Sequence, residues 1–269
     1  MNGRVLIVAG SDSGGGAGIQ ADIKAVLAMG GFAMTAITAL TAQDTLGVHG
    51  VMPVPVAFVR QQIDVVLQDI GADAIKTGML GGAEMVEAVA DALCGGAAGL
   101  PLVVDPVMVA KGGARLLTDD AVAVLRRALL PLAALLTPNI PEAEALLGQT
   151  IADHAAALDA ARALLDLGPA AILLKGGHLE GPVVRDILAT ADGTETLERP
   201  RIPTRHTHGT GCTLASAIAA GLAQRMGLHQ AVLRARAYVQ AAILSAPGYG
   251  AGHGPLDHGV TVDLSRLGV

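Results

Sequence analysis

Short apolar runs of β-type residues alternate with helical patterns along most of the chain. RVLIVA (4–9) precedes GIQADIKAVLAMG (18–30), AMTAITALTA (33–42) precedes VAFVRQQIDVVLQDI (56–70), and DAIKT (73–77) precedes AEMVEAVADAL (83–93). PLVVD (101–105), DDAVAVLRRALL (119–130), ALLT (134–137), a helix pair from Pro141 to about Leu167 and AAILLK (170–175) continue the alternation. Strands apolar on both faces, separated by amphipathic helices, predict a mostly parallel sheet covered on each side, a three-layer α/β/α sandwich. From about Pro182 to Ile202 the pattern changes to two strand-like runs around Ala-Asp-Gly, which predicts a β-hairpin appended to the sheet. Two helices, Thr210 to about Met226 and His229 to about Ala246, and a glycine-rich tail complete one expected domain spanning residues 1–269.

Ligands of open α/β sheets collect at the carboxyl ends of the strands, and the polar and glycine-rich residues of this chain cluster there. Gly10 to Gly18 follows the first strand, Gln43-Asp44 the second, Lys76-Thr-Gly-Met79 the third, Asp105-Pro106 the fourth, Thr137-Pro-Asn139 the fifth and Lys175-Gly-Gly-His178 the sixth. The loops are expected to converge on one site.

HGTGCT (208–213), running into LASAIAAGLA, reads as a glycine turn feeding a helix whose first amides have no partner within that helix. Such a terminus binds anions, and it is expected to favour the thiolate of Cys212. Gly16-x-Gly18-x-x-Ala21 with Asp44 is a passable but weak dinucleotide fingerprint, and the same glycines suit a ligand-closing loop equally well. Neither GxxxxGK[ST] nor GxSxG occurs, against a P-loop and an α/β-hydrolase.

Asp105 is either a turn aspartate or a site carboxylate. Pro141, Glu142 and Glu144 suit a helix start, yet carboxylates there also suit Mg²⁺ held through water. Gln43 offers a donor beside an acceptor, matching a ring nitrogen next to an exocyclic amine, and Met79 is placed to lie against a flat ring. Histidines 206, 208, 253 and 258 fit no structural zinc spacing.

Composition narrows the partners. A net charge of −6 without a basic block, and 1% aromatics, argue against nucleic acid. No apolar run reaches a membrane span and no signal peptide opens the chain, so a soluble cytoplasmic protein is expected. Cys94 and Cys212, far apart, are expected to be reduced thiols. Only four of 18 basic residues are lysines, and Lys76, Lys111 and Lys175 lie within two residues of a glycine, by chance or because a compact ammonium meets phosphate there.

AGSDSGGGAGIQADIKA, ITALTAQDTLGV, KTGML, DPVMVAKGG, LTPNIPEAEALLG, LLKGGHLEG, THGTGCTLASAIAA and GHGPLDH occur in that order over nearly the whole chain. Together they resemble the hydroxymethylpyrimidine/phosphomethylpyrimidine kinases of thiamine biosynthesis, in the ribokinase superfamily. The resemblance implies a ribokinase-like kinase domain and ATP-dependent phosphorylation of 4-amino-5-hydroxymethyl-2-methylpyrimidine, then of its monophosphate. It further implies that Gln43 pairs with the aminopyrimidine, that Gly10, Asp22, Met79 and Val107 line its pocket, and that Lys175 and Thr207 meet ATP. Asp105 and Glu142 would serve Mg²⁺, Gly209, Thr210, Gly211 and Cys212 would surround the transferred phosphoryl group, and the loop from Pro106 to Leu117 would act as a flap. Cys212 stands where sugar kinases of the superfamily carry an aspartate base. A homodimer is expected by the same resemblance. Pyridoxal kinase is the alternative within the class, and a non-catalytic metabolite-binding relative the alternative outside it.

Overall fold

In a computed structural model of the chain, residues 2–108, 116–263 and 265 are described. The strands of the central sheet are β1 (Arg4–Ala9), β2 (Phe32–Ile37), β5 (Ala74–Thr77), β6 (Leu102–Val104), β7 (Leu135–Leu136), β8 (Ala171–Leu174), β9 (Val183–Thr190) and β10 (Gly193–Pro200). Their order is β10-β9-β8-β7-β6-β5-β1-β2, and a separate two-stranded sheet pairs β3 (Ala39–Gln43) with β4 (Val48–Pro53). Strands β2, β1, β5, β6, β7 and β8 run parallel, whereas β9 and β10 are antiparallel.

The period-2 geometry of a strand turns the apolar runs into two buried faces. Leu6 and Val8 of β1 point into one core with residues of α2 (Val56–Asp69), α3 (Ala83–Gly96), α4 (Asp119–Val124), α5 (Ile140–Leu147) and α6 (His154–Leu165). Val5, Ile7 and Ala9 point into the other, with α1 (Gly18–Ala28), α7 (Thr210–Ala223) and α8 (Leu228–Leu244). The expected three layers are present. Chain order reverses between β1, which leads to β2 on one side, and β5, which continues the sheet on the other, so a crevice opens at their carboxyl ends.

The expected hairpin is appended to the sheet at β8 and extends it by two strands. Two local features differ from the sequence reading. The single strand read over AMTAITALTA is two, broken at the buried Thr38, whose hydroxyl donates to the Met79 carbonyl at 2.7 Å and whose amide donates to Ala9 at 3.0 Å. Beyond Thr38 the chain leaves the main sheet as the β3–β4 hairpin, closed by amides of Leu46 and Gly47 donating to Asp44. Helix α4 also ends early, passing into a wider π turn over Leu125–Leu129. Most of the expected flap from Pro106 to Leu117 lies outside the described residues.

The glycine-rich tail holds α7 in place. The buried Thr213 hydroxyl lies 2.9 Å from His258 Nε2, and the Tyr238 hydroxyl donates to the His258 carbonyl at 2.9 Å. Burial, with Lys24 nearby, lowers the His258 pKa to about 4. A histidine held neutral in the fold and free to protonate when unfolded contributes stability that is complete above its unfolded value and is lost as pH falls. We therefore expect about 3 kcal/mol of acid-sensitive stability to disappear between roughly pH 6.5 and pH 4. Urea unfolding of His258→Gln should show a flatter pH dependence across that window; an unchanged pH dependence would refute the assignment.

Candidate active site

A cavity of about 970 Å³ lies over the carboxyl ends of the parallel strands and collects all the expected site residues but one. Gly10, Gln43, Met79 and Val107 border it over the β1, β5 and β6 side, while Val184, Ile202, Val239 and Ile243 border it on the β9, β10 and α8 side. Asp105, Glu142, Lys175, Thr207 and residues 209–212 line it as well. The apolar group from β9 and α8 was not singled out by sequence reasoning, because a periodic apolar helix face reads as core. Asp22 is the exception. It is fully buried and does not line the cavity, so its expected place in a substrate pocket is corrected.

Asp22 is sequestered because it neutralises a buried lysine. Lys76 Nζ donates to both Asp22 oxygens at 2.9 and 3.0 Å, and the Ser216 hydroxyl on α7 donates to Asp22 at 2.7 Å. Burial disfavours the Lys76 charge, but Asp22 chiefly, with Cys212 and Asp105, outweighs it and raises the pKa above the ordinary lysine value. Of the three lysines beside glycines, Lys76 thus serves an internal carboxylate beneath the cavity lining to which it belongs, Lys175 is partly exposed within the cavity, and Lys111 lies outside the described residues.

Lys175, following β8, places its ammonium 3.0 Å from Asp105 and 3.8 Å from Glu142. Glu142 accepts the Asn139 amide at 2.7 Å while Asn139 accepts the Glu142 amide at 2.9 Å, a reciprocal capping box that starts α5 and aims the carboxylate at the site. Pro141 takes the second helical position, within the expected helix start. Burial, countered by Lys175 but reinforced by Asp105, pushes Glu142 up to about 7. Two carboxylates share too little positive charge here. No cluster of three or more His, Cys, Asp or Glu side chains suited to a metal exists among the described residues. This donor set fits a hydrated Mg²⁺ that takes its remaining ligands from phosphate and water, and it does not fit a protein-ligated zinc.

The first turn of α7 completes the site. Gly209 adopts φ +80°, and a Cβ there would stand 1.8 Å from the Gly16 carbonyl oxygen, so only glycine permits this approach of two backbones. Gly211 faces Lys175, whose Nζ would lie 3.1 Å from an added Cβ. Amides at this helix start, an ammonium and two carboxylates bring together the parts that bind and polarise a phosphate chain. The thiol does not behave as expected. Burial pushes Cys212 up to about 12, Lys76 opposing and Asp22 and Asp105 adding to it, so the thiolate is not favoured in the folded chain.

Facing this helix start, the loop after β1 wraps around a carboxylate that sequence reasoning missed. Asp12 is buried and accepts the amides of Gly14, Gly16 and Ala17 at 2.8, 3.1 and 2.7 Å and His208 Nε2 at 2.8 Å. Burial works against its charge, yet His208 and the Ala17 and Gly14 amides hold its pKa below the usual carboxylate range. The spacing Asp-x-Gly-x-Gly-Ala, an acidic side chain followed at once by glycine amides, was the available signal. Asp44 instead pairs with His49 and caps its own turn, which removes the ribose-binding acid from the dinucleotide alternative. Both cysteines are free thiols.

A family model described as phosphomethylpyrimidine kinase matches residues 12–257, nearly the whole chain. The chain belongs to the phosphomethylpyrimidine kinase family. It is 50% identical over 255 residues to the hydroxymethylpyrimidine/phosphomethylpyrimidine kinase of Streptomyces coelicolor, covering 95% of this chain and 94% of that one. It is 53% identical over 256 residues to the thiamine biosynthesis bifunctional protein ThiED of Geobacter sulfurreducens, covering 95% of this chain; the chain spans about half (52%) of that protein's length. An ADP complex of Bacillus subtilis pyridoxal kinase superposes with a TM-score of 0.90 at 34% identity, covering 97% of this chain and 98% of that one. The ribokinase-like architecture and the kinase class follow from these relatives together with the sheet order.

The contact between Gly209 and Gly16 can be tested directly. Gly209→Ala would force Gly16 and the helix start apart, and we expect turnover to fall by about 10²-fold or more, with the unfolding midpoint also reduced. Turnover within threefold of the parent would contradict the role given to this contact.

Proposed function

We propose that this chain transfers the γ-phosphoryl group of ATP to the hydroxymethyl group of 4-amino-5-hydroxymethyl-2-methylpyrimidine, and then phosphorylates the monophosphate to the diphosphate, for thiamine biosynthesis. The single observation that supports this best is the joint placement of Gln43, Lys175 and the Gly209–Cys212 turn around one cavity, in a chain of the phosphomethylpyrimidine kinase family. Gln43 reads the aminopyrimidine edge, with Gly10, Met79 and Val107 holding the ring; a methyl of Met79 already occupies the space beside Gly10. The nucleotide takes the opposite end, between β9 and α8, with Lys175 and Thr207 at its phosphates.

Phosphoryl transfer needs little covalent help, so positioning and charge stabilisation carry most of the rate. The amides of Gly211 and Cys212 at the start of α7 face the charge that develops on the transferred group, while Lys175 follows it as a point charge. Asp105 and Glu142 would hold Mg²⁺ through its water shell, and that ion would neutralise charge on the β and γ phosphates. Cys212 is the candidate base for the first step alone, because the second acceptor is an ionised phosphate. With its pKa near 12 the thiol is protonated at neutral pH, so base catalysis by Cys212 makes the first step faster as pH rises.

We further propose a homodimer in the cytoplasm, formed from one kinase domain per chain. Leu40, Leu46, Val51 and Met52 on the β3–β4 hairpin are exposed and offer the apolar face. Among the described residues no helix is long and apolar enough to cross a membrane. Light scattering that gives a monomer mass at micromolar concentration would refute the dimer.

The activity is tested by ADP production with the hydroxymethyl pyrimidine, its monophosphate and pyridoxal in parallel. Turnover of both pyrimidines in preference to pyridoxal is expected. Turnover of neither sinks the reading, and preference for pyridoxal supports the second reading suggested by the pyridoxal kinase neighbour. Cys212→Ala should slow the first step by about 10²- to 10⁴-fold, remove its rise with pH and leave the second step nearly unchanged. An unaltered first step would exclude Cys212 as the base.

A further inference from the structure

His208 is buried immediately before the left-handed Gly209, and its imidazole touches three parts of the site at once. Its Nε2 lies 2.8 Å from Asp12 Oδ2, the carboxylate around which residues 14–17 are wrapped, and 3.4 Å from Gln43 Nε2. Its Cδ2 would stand 2.5 Å from a Cβ on Gly16, so ring and glycine loop are in direct contact. The His208 amide donates to the Gly254 carbonyl at 3.1 Å, which fixes the residue from the tail side.

The donor inventory assigns the proton. An ionised carboxylate only accepts, so Nε2 carries hydrogen and donates it to Asp12. A hydrogen-bearing Nε2 offers no lone pair to Gln43, so the nearby carboxamide keeps its own N–H group for a ligand. Gln43 is meanwhile tied to the glycine loop by a two-way exchange with Ser13: its amide donates to Ser13 Oγ at 2.9 Å and the Ser13 hydroxyl donates to its carbonyl at 2.9 Å. The Thr41 hydroxyl bridges the Ser11 carbonyl at 2.8 Å and Gln43 Oε1 at 3.3 Å. Loop 11–17, the ring-reading glutamine and the phosphoryl cradle therefore meet at one imidazole.

We propose that His208 is a positioning residue that couples the seating of the pyrimidine ring to the assembly of the phosphoryl cradle, acting through its hydrogen bond to Asp12. This rests on the pyrimidine kinase reading above for its substrate. When the bond is present, loop 11–17 is locked against Gly209, and Gln43 reads the ring in register with the amides that receive the phosphoryl group. When it is absent, the loop loses this side-chain link to the cradle and keeps only the Gly16–Gly209 backbone contact, while the part of the nucleotide end built from β9 and α8 is untouched.

The test uses the full chain with His208→Ala and His208→Gln, whose shorter amide still presents a donor toward Asp12. Hydrogen exchange of the substrate-free proteins is read beside steady-state kinetics and ADP binding. In His208→Ala, exchange should speed up at residues 14–17 and 43–45 and stay unchanged in α8. Its kcat for the hydroxymethyl pyrimidine should fall about 10²-fold, the size of effect expected from misplacing reacting groups, with a severalfold rise in KM and unchanged ADP affinity. His208→Gln should recover about tenfold of the lost kcat, the value of one hydrogen bond to a charged group. Unchanged exchange in His208→Ala, faster exchange with unchanged kcat, or no recovery in His208→Gln would each overturn the proposal. Failure of the parent protein to phosphorylate the pyrimidine strikes the functional reading instead, and the exchange arm still decides whether His208 orders the loop.

Discussion

Two backbones meet without side chains between them where Gly209 approaches the Gly16 carbonyl, and the rest of the site depends on that contact. It sets the start of α7 beside the loop after β1, so the unpaired amides of one element and the glycine turn of the other border the same cavity. Two glycine-rich segments facing each other gain little from hydrophobic burial. What holds them is polar: the Asp12 carboxylate gathers three amides of its own loop and one imidazole from the segment that begins α7. A buried carboxylate is costly unless hydrogen-bonded, and here it is satisfied from several sides.

The charges beneath and around the cavity follow the same rule. Lys76 is neutralised by Asp22 inside the protein, and Ser216 ties that pair to α7. Lys175 is held between Asp105 and Glu142 at the cavity wall. One ammonium is thus spent on structure and the other is presented to ligand. Breaking a buried pair by removing one partner leaves an uncompensated charge, which is far more costly than losing a surface ion pair. Between these pairs burial, with Asp22 and Asp105 adding to it, outweighs Lys76 and keeps the Cys212 thiol neutral. To accept the proton of an acceptor hydroxyl, Cys212 would therefore first have to lose its own, which is why a first step that uses it as base gains rate as pH rises.

Much of this was legible in the chain. RVLIVA and AAILLK are apolar at every position that a two-faced strand must bury, and they became β1 and β8. The HGTGCT turn announced its helix start by glycine and orphan amides alone. What stayed hidden has physical causes. The break at Thr38 depends on hydrogen bonds to Ala9 and Met79, which no local pattern encodes. Asp22 and Lys76 are 54 residues apart, and only the tertiary fold, by bringing the two side chains within hydrogen-bond distance, shows that they neutralise one another. A helix start favours a thiolate in isolation, but desolvation at Cys212 is a tertiary property and reversed the expectation. Ile202, Val239 and Ile243 belong to a face that serves core and cavity alike, so periodicity could not separate the two roles. The hairpin 183–200 was visible as a hairpin appended to the sheet; its residue register against β8 was not.

The central claim is that the first turn of α7 receives the transferred phosphoryl group while Gln43, across the cavity, holds the acceptor ring. A crystal structure of the chain with ADP, Mg²⁺, a metal fluoride and the hydroxymethyl pyrimidine tests this most directly. The fluoride is expected within hydrogen-bond distance of the Gly211 and Cys212 amides and Lys175, with the ring edge on the Gln43 carboxamide. A fluoride held elsewhere, or a pyrimidine seated away from Gln43, would contradict the claim.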